Sequence, residues 1–159
     1  MLRRRNRKSS RKGKNMAIIM SIKPEWCDKI FSGEKEFELR KIVSAHTPTK
    51  VYVYKSGSGT VIGEFMLKYY VKVMTPREYM KIHKDIVITD LSPFLQGTCL
   101  TEKQFLDYLG NAKYYYAIRI EDPVLYKTPI PINKLGLSRP PQSWCYAKSA
   151  YNTTTPKHD

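Results

Sequence analysis

The sequence is poor in the residues that hold metals and disulfides. Its three cysteines, Cys27, Cys99 and Cys145, are far apart and form no C-x-x-C pair, and an odd count does not suit a disulfide framework. The three histidines, His46, His83 and His158, have no metal-ligand spacing, so no metal site and no cofactor are expected. No apolar run approaches the roughly 18 residues that a membrane span requires. The basic N-terminus is not followed by the apolar stretch of a secretory signal, so a cytoplasmic location and no membrane partner are expected. Acidic residues are scarce, 14 against 28 Lys and Arg, for a net charge of +14.

Much of that imbalance is local. Residues 1–15 carry eight Lys or Arg and no acid; the rest of the chain has 20 bases against 14 acids, a balance of +6. A block of like charge cannot bury itself, so residues 1–15 read as a solvated, disordered basic arm. Such an arm contacts any polyanion nonspecifically by releasing its counterions. Met16 immediately precedes the first apolar run and is an alternative natural start; the sequence leaves both readings open. The expected organisation is an arm over 1–15, one domain over 16–148 and a polar tail over 149–159. With 42% apolar residues the chain has enough material for one core.

Residues 17–22 are a short, apolar, β-branched run and predict a buried strand. Pro24 suits the first turn of a helix, whose apolar face would carry Trp26, Cys27, Ile30 and Phe31 and whose end falls at Gly33. Residues 36–40 alternate, with Phe37 and Leu39 on one face and Glu36, Glu38 and Arg40 on the other. Strands follow over 50–55 and, with a bulge, over 60–74, joined by a Ser56-Gly57-Ser58-Gly59 tip that lacks the features of a phosphate-binding P-loop. Thr75-Pro76-Arg77-Glu78 and Thr101-Glu102-Lys103-Gln104 have the form of capping boxes, and the second helix should stop at Gly110. Strands are predicted at 113–120 and 124–128, with Pro129 and Pro131 breaking the ladder. A last short strand follows the Pro140-Pro141 turn. Many short strands with two or three short helices point to a closed or partly closed barrel rather than a doubly wound sheet.

Three segments carry a family likeness. Ser21-Ile22-Lys23-Pro24, followed by Ile30 through Arg40, resembles the ASCH-domain signature G-x-K-x-x-E-x-R, with Gly33, Lys35, Glu38 and Arg40 in its fixed positions. Ile62-Gly63-Glu64-Phe65 and Pro140-Pro141-Gln142-Ser143-Trp144-Cys145-Tyr146 are similar to later segments of that family, in the same order. The resemblance implies an α+β, mainly β fold: a PUA-like, partly closed barrel of about six strands with a cleft at one mouth. It also implies work in RNA metabolism, since relatives include RNA-modification readers, a reported ribonuclease and an amidohydrolase acting on acetylated cytidine.

The expected ligand-binding set is Lys23, Lys35, Glu38, Arg40, Gln142, Ser143 and Trp144, with RNA or a nucleotide as partner; the oligomeric state is left open. An Arg fork grips phosphate or carboxylate, a Glu accepts from an exocyclic amine, and Trp144 could stack a base while Gln142 reads its edge. The same residues also suit a solvated ion network, and Trp144 a core position under a proline-stiffened turn. If the protein is an enzyme, Lys35 and Glu38 are the catalytic candidates, for a metal-independent ribonuclease or a modified-nucleoside hydrolase. The amidohydrolase branch has a Thr nucleophile where this chain has Glu38, which argues against the same acyl-transfer chemistry. Strict alternation puts Lys35 on the opposite face from Glu38 and Arg40, so the site requires Lys35 to lie in the turn after Gly33, or a bulge to re-aim it. Trp26 is expected in the core. Tyr69, Tyr70 and Tyr114 to Tyr116, interleaved with Lys68, Lys72 and Lys113, read as barrel wall or as a stacking surface.

Overall fold

A computed structural model describes residues 16–45, 48 and 50–148. The basic segment 1–15, the tail 149–159, His46 and His158 lie outside the described residues. Six strands form one sheet: β1 (Ala17–Ile22), β2 (Phe37–Arg40), β3 (Lys50–Lys55), β4 (Thr60–Met74), β5 (Tyr114–Pro131) and β6 (Trp144–Tyr146). Their order is β2-β5-β4-β3-β1-β6. All ladders are antiparallel except β1 with β3, whose parallel pairing is made possible by a crossover through α1 (Pro24–Phe31) and β2.

The sheet curls, and among the described residues no backbone ladder joins its two ends. Side chains do so instead. Arg40 Nη1 on β2 donates to Ser143 Oγ at 3.1 Å, and Trp144 Nε1 on β6 donates to the Ile42 carbonyl at 3.1 Å. Ser44 and Tyr146 share a hydroxyl hydrogen bond of 2.6 Å. The result is the mainly β, partly closed barrel the sequence implies, with a seam between β2 and β6.

β1 explains its own composition. Ile18, Met20 and Ile22 face the inside of the curl, against Cys27 and Ile30 of α1, Val51, Val53, Phe65 and Ile118. Ala17 and Ile19 face the other way, against Tyr52, Tyr54, Val61 and Leu135. A strand covered on both faces has to be apolar throughout. Gly33 follows the C-cap of α1 with φ +83°, the left-handed conformation that lets the chain turn into β2.

Two readings need correction. The two strands expected at 113–120 and 124–128 are one, Tyr114–Pro131, bent at Asp122, where φ is +47° and the register with β4 shifts. Pro129 and Pro131 lie inside it. β2 covers only Tyr116 to Arg119, so the prolines sit where β5 has a single neighbour and a missing N–H is tolerated. The helices number four α-helices among the described residues: α1, α2 (Pro76–Ile82), α3 (Ser92–Leu95) and α4 (Glu102–Leu109), with a 3-10 turn at Ile132–Leu135. α3 lies between the two capping-box segments, where the sequence pattern is less clear. α4 has a complete capping box, whereas α2 has half of one, because the Thr75 N–H goes to the Lys113 carbonyl instead of Glu78. Phe105 and Leu109 of α4 pack with Leu39 and Tyr115, which sets α4 beside the open mouth.

Candidate functional site

The segment between Gly33 and β2 is held at both ends. Lys35 N–H donates to the Lys29 carbonyl at 2.9 Å, and Glu36 and Phe37 both donate to the Gly97 carbonyl. Lys35 therefore lies in the turn, ahead of the strand alternation, and its side chain shares a side with those of Glu38 and Arg40. Its Nζ donates to the Thr98 carbonyl at 2.6 Å. That carbonyl is aimed by a loop in which Gly97 and Cys99 both adopt positive φ, +74° and +62°. The Lys35 Nζ is also 3.6 Å from Glu38 Oε2, an ion pair longer than a hydrogen bond, and 5.1 Å from the centre of the Trp26 ring.

Glu38 is gripped from its other side. Arg40 Nη2 donates to Glu38 Oε1 at 2.9 Å and to the Ser21 carbonyl at 2.8 Å. Lys35 and Glu38 are buried, 2% and 7% exposed, and Arg40 is partly buried. Burial lowers the Lys35 pKa below its ordinary 10.5, partly offset by the Glu38 carboxylate. Arg40 Nε is buried without a hydrogen-bond partner among the described residues. Two cations against one carboxylate leave the triad one positive charge in excess.

This triad forms part of the wall of a cleft of about 540 Å³, open at the barrel mouth. Lys23, Trp26 and Gln142 line it as well, and α4 contributes Gln104, Asp107 and Tyr108. The volume falls within the ~300–1,000 Å³ of small-molecule sites.

Neither a protein-family model nor a curated protein matches this sequence. Solved structures do. ASCH from Zymomonas mobilis is similar over 84% of this chain and 89% of its own, with a TM-score of 0.65 at 22% identity. A serine-to-alanine variant of the same protein, ZmASCH, is similar over 86% and 91%, with a TM-score of 0.68 at 21% identity.

The chain has the ASCH fold.

Within this ASCH fold the seven residues singled out from the sequence do not all meet at one place. Lys23, Lys35, Glu38, Arg40 and Gln142 line the mouth cleft. Ser143 does not line it but borders an adjoining groove and acts as a strut: its Oγ accepts from Arg40, and its carbonyl accepts from the Ser21 N–H at 2.9 Å. Trp144 lines a second, adjoining groove; its N–H is spent on Ile42, its ring packs partly against the core, and Tyr146 meets it edge-on at 5.3 Å. Trp26 packs against the core as expected of it, yet also lines the cleft. Sequence reasoning missed Gln104, Asp107 and Tyr108. The capping box located their helix, but nothing local says which part of the barrel a helix will border.

The tyrosine-rich walls are largely self-contained. Tyr115 is buried, Tyr70 meets Tyr116 edge-on, Lys72 lies 4.4 Å from the centre of the Tyr114 ring, and Lys68 pairs with Glu121 at 3.2 Å. Among the described residues no three His, Cys, Asp or Glu side chains converge as metal ligands, and no helix is long and apolar enough to cross a membrane.

Proposed function

We propose that the chain is an RNA- or nucleotide-binding ASCH domain that takes its ligand at the mouth cleft and serves RNA metabolism or its regulation. The observation that carries this reading is the largely buried Lys35–Glu38–Arg40 triad opening onto a cleft with a Trp26 face. Two buried charges and a partly buried third are a poor way to stabilise a fold, since apolar side chains of similar volume often do as well or better. Facing a cleft, they make a preorganised polar wall. Trp26 offers a stacking face, Glu38 an acceptor for an exocyclic amine, and Lys23 and Gln142 further polar contacts at the rim. The basic segment 1–15 adds nonspecific affinity for polyanions.

A second reading, that of a metal-independent ribonuclease or modified-nucleoside hydrolase, draws on Lys35. A lysine whose pKa is lowered by burial is better suited to proton transfer than a solvated one. Its Nζ is already committed to Thr98 and Glu38 Oε1 to Arg40, which favours binding over turnover.

The test is titration of labelled single-stranded RNA and of free nucleosides with the full chain and its Trp26→Ala and Glu38→Gln variants, at moderate salt. Binding should weaken in both variants. Equal binding by all three proteins would remove the cleft from consideration. Product formation that is lost in Lys35→Ala and Glu38→Gln would move the assignment to the second reading.

A further inference from the structure

The mouth cleft continues into a second groove of about 850 Å³, and Tyr108 and Gln142 line both. The two differ in charge. The cleft has three cations, Lys23, Lys35 and Arg40, and three carboxylates, Glu25, Glu38 and Asp107, so its formal charge balances. The groove has Lys41 and Arg139 and no acidic residue. Both are exposed, and neither forms an ion pair among the described residues. Lys41 Nζ lies 5.2 Å from the centre of the Tyr108 ring.

A charge-balanced cleft with an aromatic wall suits a base or nucleoside better than a phosphate, whose charge its carboxylates would oppose. The uncompensated cations are next door. Lys41 is the residue immediately after Arg40, so the groove begins one Cα–Cα step, about 3.8 Å, from the triad. Resting on the nucleotide-binding reading above, we propose that the ligand is a segment of single-stranded RNA rather than a free nucleotide. One base enters the cleft, and the adjoining phosphodiester backbone crosses the groove over Lys41 and Arg139. Tyr108 divides the two subsites and offers its ring to the flanking sugar or base. The groove floor of Pro140, Pro141 and Trp144 supplies apolar contact without sequence readout.

The experiment compares wild type with a Lys41→Ala/Arg139→Ala double variant, both as full chains. The probes are a nucleoside, a mononucleotide, a single-stranded trinucleotide and hexanucleotide, and a duplex, titrated across a salt series. Wild type should bind the trinucleotide more tightly than the mononucleotide and gain little more from the hexanucleotide. The double variant should lose that gain, and its slope of log affinity against log salt should fall by roughly 0.7 for each contact removed. Its nucleoside affinity should be unchanged, because neither residue lines the cleft. An unaltered length gain and salt slope, with nucleoside binding intact, would overturn the strand path alone. Equal competition by the duplex would also overturn it. If wild type binds neither nucleoside nor oligonucleotide, the nucleotide-binding reading itself falls and takes the strand path with it.

Discussion

Arg40 and Ser21 belong to strands toward opposite ends of the sheet order, yet Arg40 Nη2 reaches the Ser21 carbonyl at 2.8 Å. The same nitrogen holds Glu38, and Nη1 holds Ser143. One guanidinium thus joins the edge strand β2, the β1 end and the turn before β6, and builds the cleft wall in doing so. The site and the closure of the barrel are one piece of structure.

Replacing Arg40 should therefore cost stability as well as binding. Arg40→Ala leaves Glu38 buried with only Lys35 nearby, and breaking a buried pair in this way costs about 3 kcal/mol. Arg40→Lys keeps the charge but not the planar fork, and should recover only part of the loss. Urea unfolding would measure both; a loss below ~1 kcal/mol for Arg40→Ala would mean that the seam does not depend on it.

The buried lysine makes stability depend on pH. Lys35 has a folded pKa below its ordinary 10.5, so between the two values the unfolded chain binds the proton more tightly. Stability from this group rises with pH across that window, is complete above 10.5 and is lost as pH falls through the folded pKa. Tyr115, with its hydroxyl pushed up to about 12 by burial, acts in the opposite direction at alkaline pH. The readout is accordingly the difference in unfolding free energy between wild type and Lys35→Met, which should favour wild type increasingly as pH is raised. A pH-independent difference would contradict it.

Gly63 has no room for a side chain. A Cβ there would meet the Val124 carbonyl of β5 and lie 2.6 Å from the Phe31 ring of α1. Backbone on one side and a packed aromatic on the other leave little capacity to yield, so Gly63→Ala should destabilise by about 2 kcal/mol. A thermal or urea midpoint matching wild type would show that α1 and β5 can shift apart.

Cys27 should be chemically silent. It is fully buried, and burial pushes its thiol up to about 11. Thiol-directed reagents at neutral pH should modify Cys99 and Cys145, which are only partly buried, well before Cys27. Mass spectrometry of the labelled protein would show the order, and early labelling of Cys27 would mean that α1 opens readily.

Local chemistry made much of this protein readable from its sequence. The apolar run of β1, the proline start and glycine stop of α1, the capping box of α4 and the alternation of β2 each depend on neighbours a few residues away. So did the resemblance of Gly33, Lys35, Glu38 and Arg40 to a family signature, which located the triad. Tertiary structure decided the rest. The Thr98 carbonyl 63 residues from Lys35, and the bond from Arg40 to Ser143 across 103, depend on a curl that no local pattern encodes. Prolines that read as strand breakers lie within β5, because only the sheet determines which edge lacks a partner. Trp26 and Trp144 lie in different clefts for the same reason: side-chain type limits what a residue can do, but the closing of the barrel seam determines what it faces.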